Sequence, residues 1–528
     1  MRCILFLLAC APAASLAQPI PAHRPLLGGG LVNAPHDDGL TESQLAALRA
    51  QIDAFKALHG LNGYGDRTPP VYPFYPQGGT FFGDLDCSNF VDLDPSGNVQ
   101  DYACSLLARD GHAGIDSAVR SWAEMDIGVP VFAALPGVVV ARDDGYPDRN
   151  TQGCACAGNY IIISHAGGNE SWYFHLRNGS VSVGLGEIVR AGQQIGLTAS
   201  SGNSFGPHLH FGTVVSGQVY EPFAGDCRPG PSAWLNQPQR PPTTVIRDAG
   251  VTWIDLWTVP GWPEPLPRSG QLALTDDSHY IWTDIQWLPA NSNYRHRWVQ
   301  PNGTIDWETP VYNFDNPDFY GRAIYWFPRW IYNMHYITGT WRIQMDINGV
   351  QVLDLPIEVR TERTPDFNRP PAAIGLTFEP DNPTPDDVLF CRVQGSYVYD
   401  DPDCDIVRYH YVWTLNGQPI RDIISAGRAD AIPTQTLTPG STITCGVTPS
   451  DGTVNGAIAS ISYTLPGGCD PDVNCDGSVN GFDIEATEQA VNGDYSNFCQ
   501  TSADLNNDGA ENGFDIEAEE QRVNGAPC

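Results

Sequence analysis

The sequence predicts a multidomain protein that is mainly β. Its 528 residues are enough for about three to five domains at roughly 100–200 residues each. The chain contains 54 glycines and 44 prolines, and only 17% of its residues are charged. This profile is typical of short strands joined by tight turns rather than of long helices or disorder. The net charge of −33 argues against binding to nucleic acid, which requires a basic surface.

The first residues indicate export from the cytoplasm. Arg2 precedes a short apolar run, and small residues lead up to Ala17, so residues 1–17 are predicted to be a signal peptide. A lipoprotein signal ending at Cys10 is the alternative, although its apolar run would be very short. No later segment approaches the ~18 apolar residues of a membrane span. We therefore expect a secreted protein, in the periplasm or at the cell surface, whose twelve remaining cysteines meet an oxidising compartment.

Changes in composition divide the rest of the chain into five segments. Two proline-rich stretches, 237–244 and 363–371, are typical of linkers. The segments are an N-terminal linker with one helix (18–75), a histidine-bearing β domain (76–236), a Trp-rich β-sandwich (245–362), an immunoglobulin-like β-sandwich (372–466) and a small α unit with two repeats (469–528).

One helix is expected in the N-terminal linker. Thr41 and Gln44 have the spacing of a capping box, and Gly60 is placed to end the helix. Apolar residues recur at helical spacing and would form its buried face: Leu45, Leu48, Ile52 and Phe55.

The two middle segments are predicted to be β-sandwiches. Ten of the fourteen tryptophans lie between Trp253 and Trp341. Their alternation along strands indicates core positions, and a glycan-binding platform is the alternative. In the next segment, Cys391, Trp413 and Cys445 follow the order of an immunoglobulin-like core, which predicts a Cys391–Cys445 disulfide against the tryptophan.

Five residues of the histidine-bearing segment form a candidate metal site. His112 and Asp116 stand in DGHAGID, His175 in WYFHL, and His208 and His210 in GPHLHF. On a strand, His208 and His210 point to the same face. Two histidines and one carboxylate, with a fourth position open to water, form the ligand set of a catalytic zinc, which activates water for amide hydrolysis.

The surroundings of these residues resemble one family. GVPVFAALPGVVVA (128–141), NYIIISHAGG (159–168) and LGEIVRAGQQIGLTASSGNSFGPHLHF (185–211) occur in the order found in the lysostaphin-type (LytM-like) zinc metallopeptidases. The resemblance covers about residues 105–225 and implies an antiparallel β peptidase fold. Its members mostly cut peptide cross-bridges of bacterial peptidoglycan.

The resemblance also implies roles for the five residues. His112, Asp116 and His210 would bind one zinc ion. His175 and His208 would be catalytic, one accepting a proton from the water and the other stabilising the developing oxyanion. Which histidine has which role stays open.

The predicted function is therefore a secreted zinc metalloendopeptidase that hydrolyses peptide bonds in peptidoglycan cross-links by zinc-activated water. A zinc peptidase acting on secreted proteins, or a non-catalytic cell-wall-binding or regulatory module, are the alternatives. His165 is expected to be structural. A Cys87–Cys104 disulfide is expected beside the site, and Cys154 and Cys156 are expected to be structural thiols or disulfide partners rather than metal ligands.

The last segment contains two calcium-type loops. DVNCDGSVNGFD (472–483) and DLNNDGAENGFD (504–515) carry oxygen-bearing side chains in the same register, with Gly477 and Gly509 at the sharp turn. Oxygen ligands without thiolate or imidazole favour calcium. The predicted ligands are Asp472, Asn474, Asp476, Ser478, Asn480 and Asp483 in one loop and Asp504, Asn506, Asp508, Ala510, Asn512 and Asp515 in the other, with Ser478 and Ala510 using backbone carbonyls.

Two such loops, each followed by one helix, resemble the type I dockerin module over residues 469–528. The resemblance implies two structural calcium ions and a cohesin partner. However, Gly481-Phe482 and Gly513-Phe514 occupy the positions of the usual cohesin-contacting pair, so attachment to another surface partner is an equal alternative. Four cysteines in this segment allow three pairings: Cys469, Cys475, Cys499 and Cys528.

Overall fold

The computed structural model describes residues 27–31, 40–61, 68–151, 154, 156–465, 470–500, 502–506 and 508–526. Within these residues the protein is mainly β, as predicted, with a few short helices. The predicted signal peptide (1–17), Cys469 and Cys528 lie outside the described residues. None of the helices in the described ranges combines the length and the hydropathy that a membrane crossing requires.

The N-terminal segment contributes one strand and one helix, β1 (Gly28–Leu31) and α1 (Glu42–His59). The predicted capping box is confirmed. The Thr41 side chain accepts a hydrogen bond from the Gln44 backbone N–H, and the Thr41 backbone N–H donates to the Gln44 side chain. Gly60 ends the helix in the left-handed conformation, with φ of 67°. The segment is more than a linker, since β1 pairs with a strand of the Trp-rich domain.

The first domain is built on one antiparallel sheet of eight strands. Seven of them follow the order β2-β3-β10-β7-β6-β5-β8, with β11 paired to β10, and β4 and β9 form a separate ribbon. The elements are β2 (Asp86–Asn89), β3 (Ile115–Ala118), α2 (Trp122–Ile127), β4 (Pro130–Phe132), β5 (Gly137–Asp143), β6 (Asn159–Ser164), β7 (Glu170–Leu176), β8 (Ile188–Val189), β9 (Gln194–Leu197), β10 (His208–Val215) and β11 (Gln218–Val219), with a short 3-10 turn at Ala166–Gly168.

Both faces of this sheet are covered. One face packs into a large aromatic core that includes Tyr72 and Tyr75, which precede the predicted boundary at residue 76. Helix α1 covers part of the other face with Leu48 and Ile52, which pack against Trp172 and neighbouring apolar side chains. Successive side chains of a strand point to opposite faces, and apolar side chains occur on both faces of this sheet, so each face needs its own cover.

The second domain contains two sheets around a shared core. A four-stranded sheet has the order β1-β18-β14-β12, and a second has the order β13-β20-β19-β15-β16, with β17 paired to β15. Trp341 lies fully buried between them, in the core position that alternation predicts. The strands are β12 (Val245–Thr252), β13 (Gln271–Ala273), β14 (Ser278–Leu288), β15 (Asn293–Val299), β16 (Ile305–Glu308), β17 (Tyr312–Asn313), β18 (Tyr320–Trp330), β19 (Gly339–Ile347) and β20 (Val350–Arg360), with a 3-10 turn at Ile331–Met334.

The third domain has sheets of three and four strands, β21-β22-β25 and β24-β23-β26-β27. Trp413 is fully buried in the shared core. The elements are β21 (Leu376–Glu379), β22 (Leu389–Val393), β23 (Arg408–Leu415), β24 (Gln418–Ser425), β25 (Ala429–Ile432), β26 (Thr442–Ser450) and β27 (Ala459–Thr464), with a 3-10 turn at Tyr397–Tyr399.

The structure contradicts two predicted disulfides. Cys391 and Cys445 are buried free thiols that share a side-chain hydrogen bond across the core. Cys87 is also free, because it points from β2 into the aromatic core. Cys104 bonds instead to Cys227, whose N–H donates to Tyr102 O and so holds the two loops together.

The remaining described disulfides are local. Cys154 bonds to Cys156, in agreement with a structural role, and Cys475 bonds to Cys499 in the tail. The tail helices are α3 (Gly481–Val491) and α4 (Gly513–Val523), each beginning where its calcium-type loop ends.

Candidate metal centre

Strand register brings the predicted metal ligands together. Asp116 on β3 is the direct neighbour of His210 on β10, and Asn89 on β2 stands opposite Asp116 on the other side. His210 also pairs with Phe174 on β7, which places His175 at the same end of the sheet. His112 precedes β3 by one turn of chain, and the glycine at 114 lets it fold back, since a Cβ there would lie 2.6 Å from His210 Nε2. Residues distant in sequence therefore meet at one site.

The three predicted zinc ligands converge. His112 Nε2 lies 2.9 Å from Asp116 Oδ2, and His210 Nδ1 lies 2.9 Å from Asp116 Oδ1. One ligand atom from each residue lies within 4.8 Å of the other two. Asp116 is 1% exposed. A buried carboxylate between two imidazoles is a donor set that suits zinc.

Hydrogen bonds orient the first imidazole towards this centre. His112 Nδ1 donates to Phe90 O at 2.7 Å, so its other ring nitrogen, Nε2, carries the lone pair. That nitrogen is buried and has no hydrogen-bond donor among the described residues, and its nearest polar atom is Asp116 Oδ2 at 2.9 Å. The chemistry of the three donors therefore fits a metal ion, and a bound cation would satisfy the buried lone pair.

The two predicted catalytic histidines lie side by side next to the ligands. The ring centroids of His175 and His208 are 4.6 Å apart, and His208 Nε2 lies 3.7 Å from Asp116 Oδ1. His175 Nδ1 donates to Ser201 O at 2.7 Å, and His208 Nδ1 donates to Gly206 O at 2.9 Å. Both rings are thus fixed with Nε2 as the atom that can accept a proton.

Burial and neighbouring charges set the ionisation of the site. Burial lowers the pKa of His175 well below its ordinary value, and the His208 and His210 rings add to this effect. Burial also lowers the pKa of His210. For Asp116, burial alone would raise the pKa, but the nearby His112 and His208 rings outweigh it and hold the pKa well below the usual range. The carboxylate is therefore charged and the flanking imidazole of His175 neutral at pH 7.

A cavity of about 170 Å³ opens beside these residues. Its wall includes His112, His175 and His210 on one side and Leu45 and Arg49 of α1 on the other. The helix from the N-terminal segment thus forms part of the candidate active site, which its sequence position did not indicate.

Two further residues lie near the site, and one of them supports it. Asn89 Nδ2 donates to Asp116 Oδ2 at 2.9 Å, so it orients the carboxylate. It lies 27 residues before Asp116, and nothing in its local sequence marks it. His165, expected to be structural, bonds Pro136 O through Nδ1 and Ser171 Oγ through Nε2. Since both its nitrogens are engaged and burial lowers its pKa to about 4, it lies apart from the ligand set.

The two loops of the tail have the same internal geometry. Asp472 accepts the N–H groups of Asp476 and Gly477, and Asp504 accepts those of Asp508 and Gly509, all at 2.9–3.0 Å. In each loop, position 12 is a fully buried aspartate that caps the following helix, Asp483 or Asp515. In the described residues the loop carboxylates do not gather within 4.8 Å of one another, unlike the His112, Asp116 and His210 donors.

Comparisons with known proteins agree with this geometry. The profile of peptidase family M23 matches residues 110–222, a span that includes all five residues of the candidate centre. The profile of the dockerin type I domain matches residues 470–524, which include both calcium-type loops.

Curated relatives match about a fifth of this chain. The peptidoglycan DD-endopeptidase ShyA of Vibrio cholerae is 37% identical over 20% of this chain and 21% of its own length. The DD-carboxypeptidase/endopeptidase Mpg of Neisseria meningitidis serogroup B is 37% identical over 21% of this chain and 22% of its own. Lysostaphin of Staphylococcus staphylolyticus is 39% identical over 17% of each chain. The chain thus spans about a fifth of the length of the curated relatives it matches.

Among solved structures, the catalytic domain of lysostaphin from Staphylococcus simulans is 26% identical and matches 26% of this chain and 89% of that chain, with a TM-score of 0.19. The two family profiles match separate segments of the chain. The chain therefore carries a lysostaphin-type M23 peptidase domain and, in residues 470–524, a type I dockerin domain.

Proposed function

We propose that the protein is an exported zinc metalloendopeptidase that hydrolyses peptide bonds of peptidoglycan cross-links. The observation that carries this proposal is the buried Asp116 between His112 and His210, with His175 and His208 adjacent. Two of the relatives, ShyA and ShyB of Vibrio cholerae, are named peptidoglycan DD-endopeptidases, which supports the substrate class.

His112, Asp116 and His210 would hold the zinc ion. When bound, zinc supplies a Lewis acid that polarises a carbonyl and makes water more acidic at neutral pH. The carbonyl oxygens of Phe90, Ser201 and Gly206 fix the imidazoles, so little reorganisation is needed during the reaction.

The residues His175 and His208 then provide proton transfer and charge stabilisation. Each presents Nε2 while its Nδ1–H is held by a backbone carbonyl, so either ring can take a proton from water at Nε2. The resulting imidazolium can stabilise an oxyanion or return the proton to the leaving amine. The neutral state of His175 at pH 7, caused first by its burial, suits the proton-accepting role.

The test compares zinc binding with hydrolysis. Zinc-loaded full chain is incubated with peptidoglycan sacculi and with a protein substrate, beside His210→Ala, His208→Ala and the control His335→Ala. His335 is a surface histidine of the second domain with 66% side-chain exposure. We expect His210→Ala to lose zinc and activity, and His208→Ala to retain zinc and lose about 10²–10⁴-fold in rate. The control should match the parent chain.

The outcomes separate the alternatives. Release of muropeptides by the parent chain and the control alone supports the proposal. Cleavage of the protein but not of sacculi would point to a peptidase acting on secreted proteins. Cleavage of neither by a zinc-loaded chain would contradict the enzymatic proposal and favour a binding module.

We propose that the dockerin domain holds two calcium ions and attaches the enzyme to a cohesin-like or other surface partner. The support is the repeated internal geometry of the loops at Asp472 and Asp504. Calorimetry should show two calcium ions per chain, one in either Asp472→Ala or Asp504→Ala, and none in the double variant. Two ions in the double variant would contradict these ligand assignments.

A further inference from the structure

The second domain contains a small cavity that is lined by both of its sheets. Its volume is about 200 Å³. Trp298 and Trp307 are register partners on β15 and β16, and Tyr312 on β17 lies beside them. Arg329 reaches the same cavity from β18 of the other sheet. Trp298 is buried, whereas Trp307 is 40% exposed, so Trp307 lies at the cavity mouth. We call these four residues the aromatic–arginine pocket.

The guanidinium of Arg329 is held between two aromatic rings. Its Cζ lies 4.0 Å from the ring centroid of Trp298 and 3.9 Å from that of Trp307. Within the described residues, Nη2 is the one guanidinium nitrogen with a hydrogen-bond acceptor, Asn333 O at 3.0 Å. The Nε and Nη1 atoms are buried and donate to no atom of the described residues. Two of the donor groups of a buried cation therefore lack acceptors, which is costly in a folded protein.

Among the described residues, no carboxylate forms an ion pair with Arg329. His279, the register partner of Arg329, and His296 are buried, and burial together with the Arg329 charge lowers the pKa of each to about 3. Both are therefore neutral at pH 7. Asp306 raises the pKa of Arg329 but accepts a hydrogen bond from His335 at 3.0 Å and forms no ion pair with the guanidinium in the part of the chain that the structure describes. Although burial lowers the pKa of Arg329 to about 10, the side chain stays charged.

We propose that the aromatic–arginine pocket binds the carboxylate of a small ligand, a sugar acid or a peptide terminus. A buried guanidinium that lacks acceptors favours an anionic ligand, because a charge-assisted hydrogen bond from arginine to a carboxylate is stronger than one to a neutral acceptor. The rings of Trp307 and Tyr312 provide an apolar platform next to that charge. The cavity is smaller than the roughly 300–1,000 Å³ of drug-sized pockets, so it takes a group the size of one sugar or amino-acid residue.

This binding site does not depend on the proposed peptidase activity. Its residues belong to the second domain, and none of them is a predicted zinc ligand or catalytic histidine. Binding can thus be measured without hydrolysis, and a failure of either proposal leaves the other intact.

The experiment uses pairs of probes that differ in their carboxylate. The full chain is titrated with N-acetylmuramic acid and N-acetylglucosamine, and with D-alanyl-D-alanine and its C-terminal amide. Tryptophan fluorescence reports on Trp298 and Trp307, and calorimetry provides an independent affinity. We expect the carboxylate-bearing probe of at least one pair to bind with a Kd below about 10 mM, and its neutral counterpart at least tenfold more weakly. The pair that shows this difference identifies the source of the carboxylate.

Variants connect binding to the pocket. Trp307→Ala and Arg329→Gln should each weaken binding at least tenfold, while Trp257→Ala, which changes a 37% exposed tryptophan elsewhere in the domain, should leave it unchanged. Circular dichroism checks folding. If Arg329→Gln does not fold, Trp307→Ala still tests the proposal, because it changes an exposed side chain. The proposal is overturned if neither carboxylate binds, if both members of each pair bind equally, or if Trp307→Ala binds like the parent chain.

Discussion

Replacing Lys56 with methionine tests how helix α1 is fastened to the peptidase domain. Lys56 Nζ lies 2.5 Å from Glu170 Oε1, and the two side chains are only 2% and 1% exposed. Removing one partner of a buried ion pair usually costs about 3–5 kcal/mol, because the other charge is left buried. Glu170 keeps Arg49 at 2.9 Å and the Trp172 indole N–H at 2.8 Å, so we expect a loss of about 2–4 kcal/mol in the free energy of unfolding.

The assay combines denaturation with local opening. Urea unfolding followed by fluorescence gives the global effect, and hydrogen exchange of residues 42–59 shows whether the helix detaches first. A double-mutant cycle with Glu170→Gln isolates the pair, because removing both charges leaves no buried ion. The double variant should therefore be less destabilised than the sum of the single variants by at least about 1 kcal/mol.

Arg49→Met is the matched control for this ion pair. Its side chain is 26% exposed, so its bond to Glu170 should contribute under about 1 kcal/mol. The reasoning about a buried ion pair is refuted if Lys56→Met changes stability by no more than Arg49→Met, or if the Lys56 and Glu170 effects simply add.

Three further outcomes are expected. Asn89→Ala should lower zinc affinity about 10–100-fold in a chelator competition without unfolding the chain, because it removes the hydrogen bond that orients the aspartate ligand. His279 and His296 have folded pKa values near 3, below the ordinary 6.5, so the stability that these neutral histidines contribute is present above pH 6.5 and is lost as the pH falls towards 3. In urea unfolding between these pH values, the free energy of unfolding should rise with pH. Substituting either histidine with glutamine should reduce that slope by up to about 1.4 kcal/mol per pH unit. Cys227→Ser should lower the free energy of unfolding by about 2–5 kcal/mol in a thermal melt, because the lost disulfide joins residues that are 123 positions apart. Cys87→Ala should leave the number of disulfides found by thiol titration unchanged.

The sequence was informative about the candidate centre because four of its five residues form two pairs that are close together in sequence. His208 and His210 share one strand face by period alone, and His112 and Asp116 lie four residues apart. The alignment of β3 beside β10 turns these two local patterns into one site. That pairing depends on long-range strand order, which periodicity within a strand does not contain.

The wrong disulfides show the same limit from the other side. Cys87 and Cys104 are close in sequence. However, successive side chains of a strand point to opposite faces, and the Cys87 side chain points into the aromatic core. Cys227 lies far along the chain, and only the return of that loop to Tyr102 brings it to Cys104. Sequence distance is therefore a poor guide to cysteine pairing where strands from distant segments meet.

Helix α1 illustrates how a well-predicted element can have a location that the sequence leaves open. Its cap follows from the local sequence and agrees with the structure. Of the predicted buried face, Leu48 and Ile52 are buried, whereas Leu45 is 39% exposed. The location of the helix does not follow from the local sequence, because a capping box specifies where a helix begins and not which sheet it covers. The buried Lys56–Glu170 pair fixes that location, and it places Leu45 and Arg49 at the cavity beside His175. A change that loosens the helix should therefore alter access to the candidate centre as well as stability, so the Lys56 variant connects the fold of the N-terminal segment to the chemistry of the peptidase domain.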